Sequence, residues 1–237
     1  MRVREGLAVL TFIAAVIAPL AAQQPPAPEG AKDHVAALKR SLAESKAALR
    51  QYEWIETTVI SIKGEEKSSK QSRCYYGAEG TLEKVPIDGD ADGGKKPRGL
   101  RGAIVEHKKD EMTDAMKEAV GLVKQYIPPD PEKIKAAEEA GKLSIVPPDA
   151  QGRTQVVIKN YLKPGDTLSM SMAIAADRLT ALTVSTYIDS TKDAVELNVQ
   201  CGAFPDGTVY PAKIDLDVKK QELSVAVQNS GYKKQGS

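Results

Sequence analysis

The stretch TLSMSMAI, Thr167 to Ile174, alternates without a break. Leu168, Met170, Met172 and Ile174 hold the even positions. Thr167, Ser169, Ser171 and Ala173 hold the odd ones. Successive side chains of a strand point to opposite faces, so this pattern predicts a strand with one apolar and one polar face. The period continues downstream. Leu182, Val184 and Ile188 stand against Thr183, Ser185 and Tyr187, and Val195, Leu197, Val199 and Cys201 against Glu196, Asn198 and Gln200. Tyr210, Ala212, Ile214, Leu216 and Val218 alternate with Lys213, Asp215 and Asp217, and Leu223, Val225 and Val227 with Glu222, Ser224 and Gln228. Upstream, Thr154–Tyr161 puts Val156 and Ile158 on one face. Six strands in a row are predicted between Arg153 and Tyr232.

Turn chemistry separates them. Lys163-Pro164-Gly165-Asp166 suits a type II turn, with proline fixing φ and glycine accepting a positive one. Pro205-Asp206-Gly207 is a second strong signal, and Ala176–Arg178, Asp189–Asp193 and Lys219-Lys220 are weaker ones. Links this short join only antiparallel neighbours. The result is a meander with one apolar face, which something must cover.

The chain begins with Arg2 and Arg4, an apolar run from Gly6 to Leu20, and small residues at Ala21 and Ala22. That order predicts a secretory signal peptide over 1–22, in a run short for a membrane span. Its removal takes Arg2, Arg4 and Glu5 from 33 basic and 32 acidic residues and leaves a neutral chain, without the overall basic charge that nucleic-acid binding uses. Residues 23–30 read as a proline-rich disordered linker. The remainder, 31–237, reads as a single α+β domain. A helix over about 31–50 carries Val35, Leu38, Leu42, Ser45 and Leu49 on one face. Strands follow at Gln51–Lys63, Lys70–Gly77 and Thr81–Ile87, with Tyr52, Trp54, Ile60 and Ile62 sharing one parity.

An insertion over about 88–141 breaks the sheet pattern. Its first part is a glycine-rich loop with a basic patch at Lys95, Lys96, Arg98 and Arg101, read as solvated or as a contact for an anionic headgroup or a partner. Ile104–Ile127 has helical spacing. Asp130-Pro131 predicts a helix start and Gly141 its end.

No motif announces catalysis. His34 and His107 have no second histidine or cysteine at ligand spacing. There is no Gly-x-Ser-x-Gly elbow, phosphate-binding loop or dinucleotide fingerprint, so no enzyme class, metal or cofactor is predicted. Cys74 and Cys201 form either a disulfide, as export favours, or two separate buried thiols. Met112 and Met116 lie one helical turn apart, and Met170 and Met172 share a strand face. They either fill a core between helix and sheet or line an apolar cavity there, together with Trp54.

The order of elements resembles the periplasmic lipoprotein-carrier (LolA-like) superfamily. The segments that carry the resemblance are Tyr52–Gly64, Tyr161–Tyr187 with its Pro164-Gly165-Asp166 turn, and Asp206–Pro211 leading into the closing strands. It implies a strongly curved antiparallel sheet, an incomplete barrel, with a helical lid. It also implies a periplasmic or secreted protein that binds a lipid, acyl chain or lipoprotein, with transient membrane contact. The alternative is a structural or interaction module meeting another protein of the cell envelope. A continuous cavity between sheet and helices favours the carrier, and a solid core counts against it.

Overall fold

The computed structural model of the chain describes residues 31–87 and 114–236. The expected signal peptide, the linker, the basic 88–101 loop, the predicted helix start at Ile104, His107 and Met112 lie outside them.

Helix α1 (Ala31–Leu49) leads into strands β1 (Tyr52–Ile62), β2 (Glu65–Tyr76) and β3 (Leu82–Pro86). Helix α2 is described over 114–123, and α3 spans Pro131–Glu139. Then come β4 (Leu143–Val146), β5 (Arg153–Lys159), β6 (Thr167–Ala173), β7 (Arg178–Tyr187), β8 (Ala194–Ala203), β9 (Val209–Val218) and β10 (Leu223–Lys234). The six predicted strands are β5 to β10. All ten strands form one antiparallel sheet in the order β3-β2-β1-β10-β9-β8-β7-β6-β5-β4. The N-terminal hairpin therefore joins the free edge of the last strand, with Ile62 opposite Leu223 and Ile60 opposite Val225.

The sheet is open, with β3 and β4 at its two edges, and it curves into an incomplete barrel. Irregularities at Glu53/Ile55, Ile60/Ser61, Ser171/Met172 and Gln200/Cys201 bend the strands. One consequence is a ring contact across the sheet. Tyr52 on β1 and Phe204 after β8 are three strand spacings apart, about 14 Å on a flat sheet. Their rings stack with centroids 4.5 Å apart.

The local signals do what their chemistry predicts. Gly165 has φ +85°, and the Asp166 N–H donates to Lys163 O at 3.3 Å across the turn. Asp130 caps α3 by accepting from Glu132 N–H at 2.9 Å. At the other end Gly141, at φ +66°, donates to Glu138 O, and Lys142 donates to Ala137 O. That double bond pattern is a Schellman cap.

Candidate functional site

The inner face of the sheet is where the helices lie. On β5 to β8 it is filled. Val156, Ile158, Leu168, Met170, Met172, Val184 and Val195 have at most 1 % exposure. Helix α2 meets this region with Ala119 and Val123, and the small Ala119, with no exposure, lets its backbone come close. Helix α3 adds Ile134 and Ala137. Helix α1 packs on β7 and β9, where Ser45 Oγ accepts from Val209 N–H at 2.9 Å.

A polar node pins the corner after α2. Asp166 is 1 % exposed. Its carboxylate accepts from the N–H groups of Tyr161 (2.6 Å), Leu162 (2.9 Å) and Lys163 (3.0 Å). The Tyr126 hydroxyl donates to it at 2.6 Å and lies 2.7 Å from Thr186 Oγ1. Burial, with the Asp166 bond adding to it, holds the Tyr126 phenol well above its ordinary range. Tyr161 accepts from Asp130 N–H at 2.8 Å, so the start of α3 is held too. Neither Asp166 nor Tyr126 carries a sequence signal beyond the turn itself.

Of the residues read from the sequence as lining a ligand space, Met116, Met170 and Met172 meet in one cluster. Met116 is half-buried at its rim, whereas Met170 and Met172 are sealed beneath the helices. Trp54 sits apart, at the β1 end of the inner face, in an aromatic group. Its ring lies 5.4 Å from Tyr232 and 6.0 Å from Tyr76. Tyr210 stands 4.4 Å from Tyr232 and 4.5 Å from Phe204. The Tyr210 ring lies across Gly202, where any Cβ would come within 2.5 Å of it.

Between the filled region and the aromatic group the inner face is less covered. Ile60, Ile62, Cys201, Ile214 and Val225 are only half-buried and border the core. They form an apolar strip across β1, β10, β9 and β8. A shallow polar cleft lined by Glu53, Arg73, Tyr75 and Gln235 lies on the opposite face, away from this strip.

Cys74 and Cys201 are both free thiols, the second of the two readings that their sequence left open. The sheet order explains it. Strands β1, β10 and β9 lie between β2 and β8, a path of about 19 Å along the sheet, where a disulfide needs Cα atoms within about 7 Å. Burial raises both thiol pKa values and takes Cys201 to about 11. The thiolate is the reactive form, so alkylation of Cys201 at pH 8 is expected to run on the order of 100-fold slower than in the unfolded chain. Mass spectrometry of iodoacetamide-treated protein, with and without urea, checks this.

Fold and site together define an α+β protein whose open, curved antiparallel sheet is covered on one face by helices and carries a half-covered apolar strip. No protein-family model matches the chain, and no curated protein sequence matches it. Among solved structures it is similar to a DUF1329 family protein from Desulfovibrio piger, with 6 % identity over 87 % of this chain and 93 % of that one and a TM-score of 0.40. It is also similar to an outer membrane lipoprotein-sorting protein domain from Vibrio parahaemolyticus, with 9 % identity, 86 % and 94 % coverage and a TM-score of 0.39. A LolA superfamily protein from Nitrosomonas europaea gives 8 % identity, 84 % and 94 % coverage and a TM-score of 0.37. These likenesses concern the arrangement of the fold alone.

Proposed function

We propose that the chain is an exported carrier or binding protein for an apolar or amphipathic ligand, working in the periplasm or secreted. One observation carries the reading. The inner face carries an apolar strip, through Ile60, Ile62, Val225, Ile214 and Cys201, that is only partly buried where it borders the packed core. Concave apolar surfaces flanked by a few polar groups are the usual small-molecule sites. In this reading Met116 on α2 and Trp54 on β1 border the strip, while Met170 and Met172 lie in the packed core beside it. Because the region under α2 and α3 is filled, the ligand of this reading lies on the strip rather than between those helices and β6. The signal peptide read over 1–22 supports export. Among the described residues no helix is long and apolar enough to cross a membrane.

Trp54, the single tryptophan, provides the test. A dansyl-labelled fatty acid is expected to bind saturably and to take up excitation energy from Trp54. Saturable binding without energy transfer moves the ligand off the strip, and no binding removes the reading.

An interaction module is the second reading. Edge strand β3 and the residue after it leave Leu82, Val85 and Ile87 at 39, 41 and 49 % exposure. Open edges with apolar side chains invite pairing with another chain. A mass that rises with concentration in sedimentation, abolished by Val85→Lys, is the result that favours it.

A further inference from the structure

The inner face changes character along the β1/β10 ladder. The successive rungs are Ile62 with Leu223, Ile60 with Val225, Thr58 with Val227, and Glu56 with Asn229. Rungs on one face lie about 7 Å apart, so within about 20 Å the surface passes from wholly apolar to wholly polar. Trp54 follows Glu56 on the same face, beside Cys74 of β2, and Cys74 is paired with Lys84 of β3. Lys84 Nζ reaches back to Glu56, 2.6 and 2.8 Å from its two carboxylate oxygens.

Two polar atoms here are buried without a partner, Trp54 Nε1 and Asn229 Oδ1. Their residues are 7 and 8 % exposed. The Asn229 orientation is fixed by its own bond, since Nδ2 donates to Pro211 O at 3.0 Å. The Tyr232 hydroxyl donates to that same carbonyl at 3.0 Å, and the Trp54 ring stacks on Tyr232. Both orphan atoms thus belong to side chains that flank one tyrosine. An unsatisfied buried polar atom costs about 1–3 kcal/mol, and native structures hold few of them. One of these orphans is a donor and the other an acceptor.

We propose that Trp54, Glu56, Lys84 and Asn229 form a binding site for a zwitterionic group that carries an N–H-bearing ammonium and an anionic oxygen a few bonds apart. The ammonium donates to Glu56 and to Asn229 Oδ1. The anionic oxygen accepts from Lys84 Nζ and Trp54 Nε1. The Lys84–Glu56 contact is exchanged for two contacts of the same charge pattern, so no net charge is brought into the site. That matters because an uncompensated buried charge is the expensive case. The site lies at the polar end of the apolar strip, where the headgroup of a ligand whose chains occupy the strip would fall. In this form the inference rests on the carrier reading. A free small zwitterion offers the same chemistry.

Calorimetric titration of the full chain decides between these sources. The probes are dihexanoyl phosphatidylethanolamine, phosphatidylcholine and phosphatidylglycerol, kept below micelle formation, and free phosphoethanolamine. The ethanolamine lipid is expected to bind about tenfold or more tightly than the other two lipids, because choline has no N–H and glycerol no charge for Glu56 and Asn229. Glu56→Gln is expected to shrink that preference to about twofold, and Lys84→Met, on an exposed edge strand, to weaken the ethanolamine lipid by about tenfold. Equal binding of all three lipids overturns the site and leaves the carrier reading standing. Free phosphoethanolamine binding as tightly as the lipid keeps the site and removes the lipid as its source. No binding of any probe overturns both.

Discussion

Replacing Asp166 with alanine is expected to lower the stability of the fold by about 3–5 kcal/mol, the largest single effect outside the apolar core. The carboxylate is sealed from water and accepts three backbone N–H groups and one phenol. Alanine leaves those three amides, the buried Tyr161 N–H among them, without their acceptor. Tyr126 keeps its second contact, to Thr186. Tyr126→Phe removes only the hydroxyl and preserves the ring, so it is expected to cost about 1–2 kcal/mol. Urea denaturation of both variants gives the comparison. If the aspartate variant is no less stable than the phenylalanine one, the node does not hold the corner.

Met170→Ala is expected to cost about 2–5 kcal/mol, because it empties a sealed position in the core. Met170 has no exposure and pairs with Val156 on β5 and Leu182 on β7, themselves buried. The variant also separates two views of the methionines. In a packed core the truncation destabilises and leaves binding of an acyl probe close to that of the parent chain. In a ligand-filled space it costs less than about 1 kcal/mol and changes binding instead. The structure predicts the first outcome.

The two halves of the sheet differed in how plainly the chain announces them. Strands β5 to β10 follow from alternation, because each has one buried face and the period of two is hard to mistake. The strong turns carry Pro164-Gly165 or Asp206-Gly207. Two other turns pass through 3-10 segments that end on left-handed Asp177 and Glu222, so no glycine marks them. Where β1 goes was less legible. Its parity is readable, but nothing local says that Ile60 lies opposite Val225, a contact across most of the chain. The cysteines show the same gap. Even count and export suggest a bridge, while strand order, a long-range property, keeps the thiols apart.

The candidate site was legible in part. Methionines and Trp54 mark apolar positions, yet burial decides their role. Met170 and Met172 are sealed, Met116 is at the rim, and Trp54 belongs to an aromatic group assembled from β1, β2, β9, β10 and the turn after β8. The Asp166 node was hidden because a turn aspartate reads as solvent-facing. Here its side chain folds inward onto the backbone of its own turn. Glu56, Lys84 and Asn229 carry no motif and meet only through the β3-β2-β1-β10 order.

Native mass spectrometry of the protein tests the central claim most directly. The protein is purified without detergent and weighed intact with whatever stays bound. The account predicts discrete added masses in the lipid range that disappear on solvent extraction, on a chain that keeps the mass of two free thiols. A bare protein peak, unchanged after incubation with a lipid extract, contradicts it.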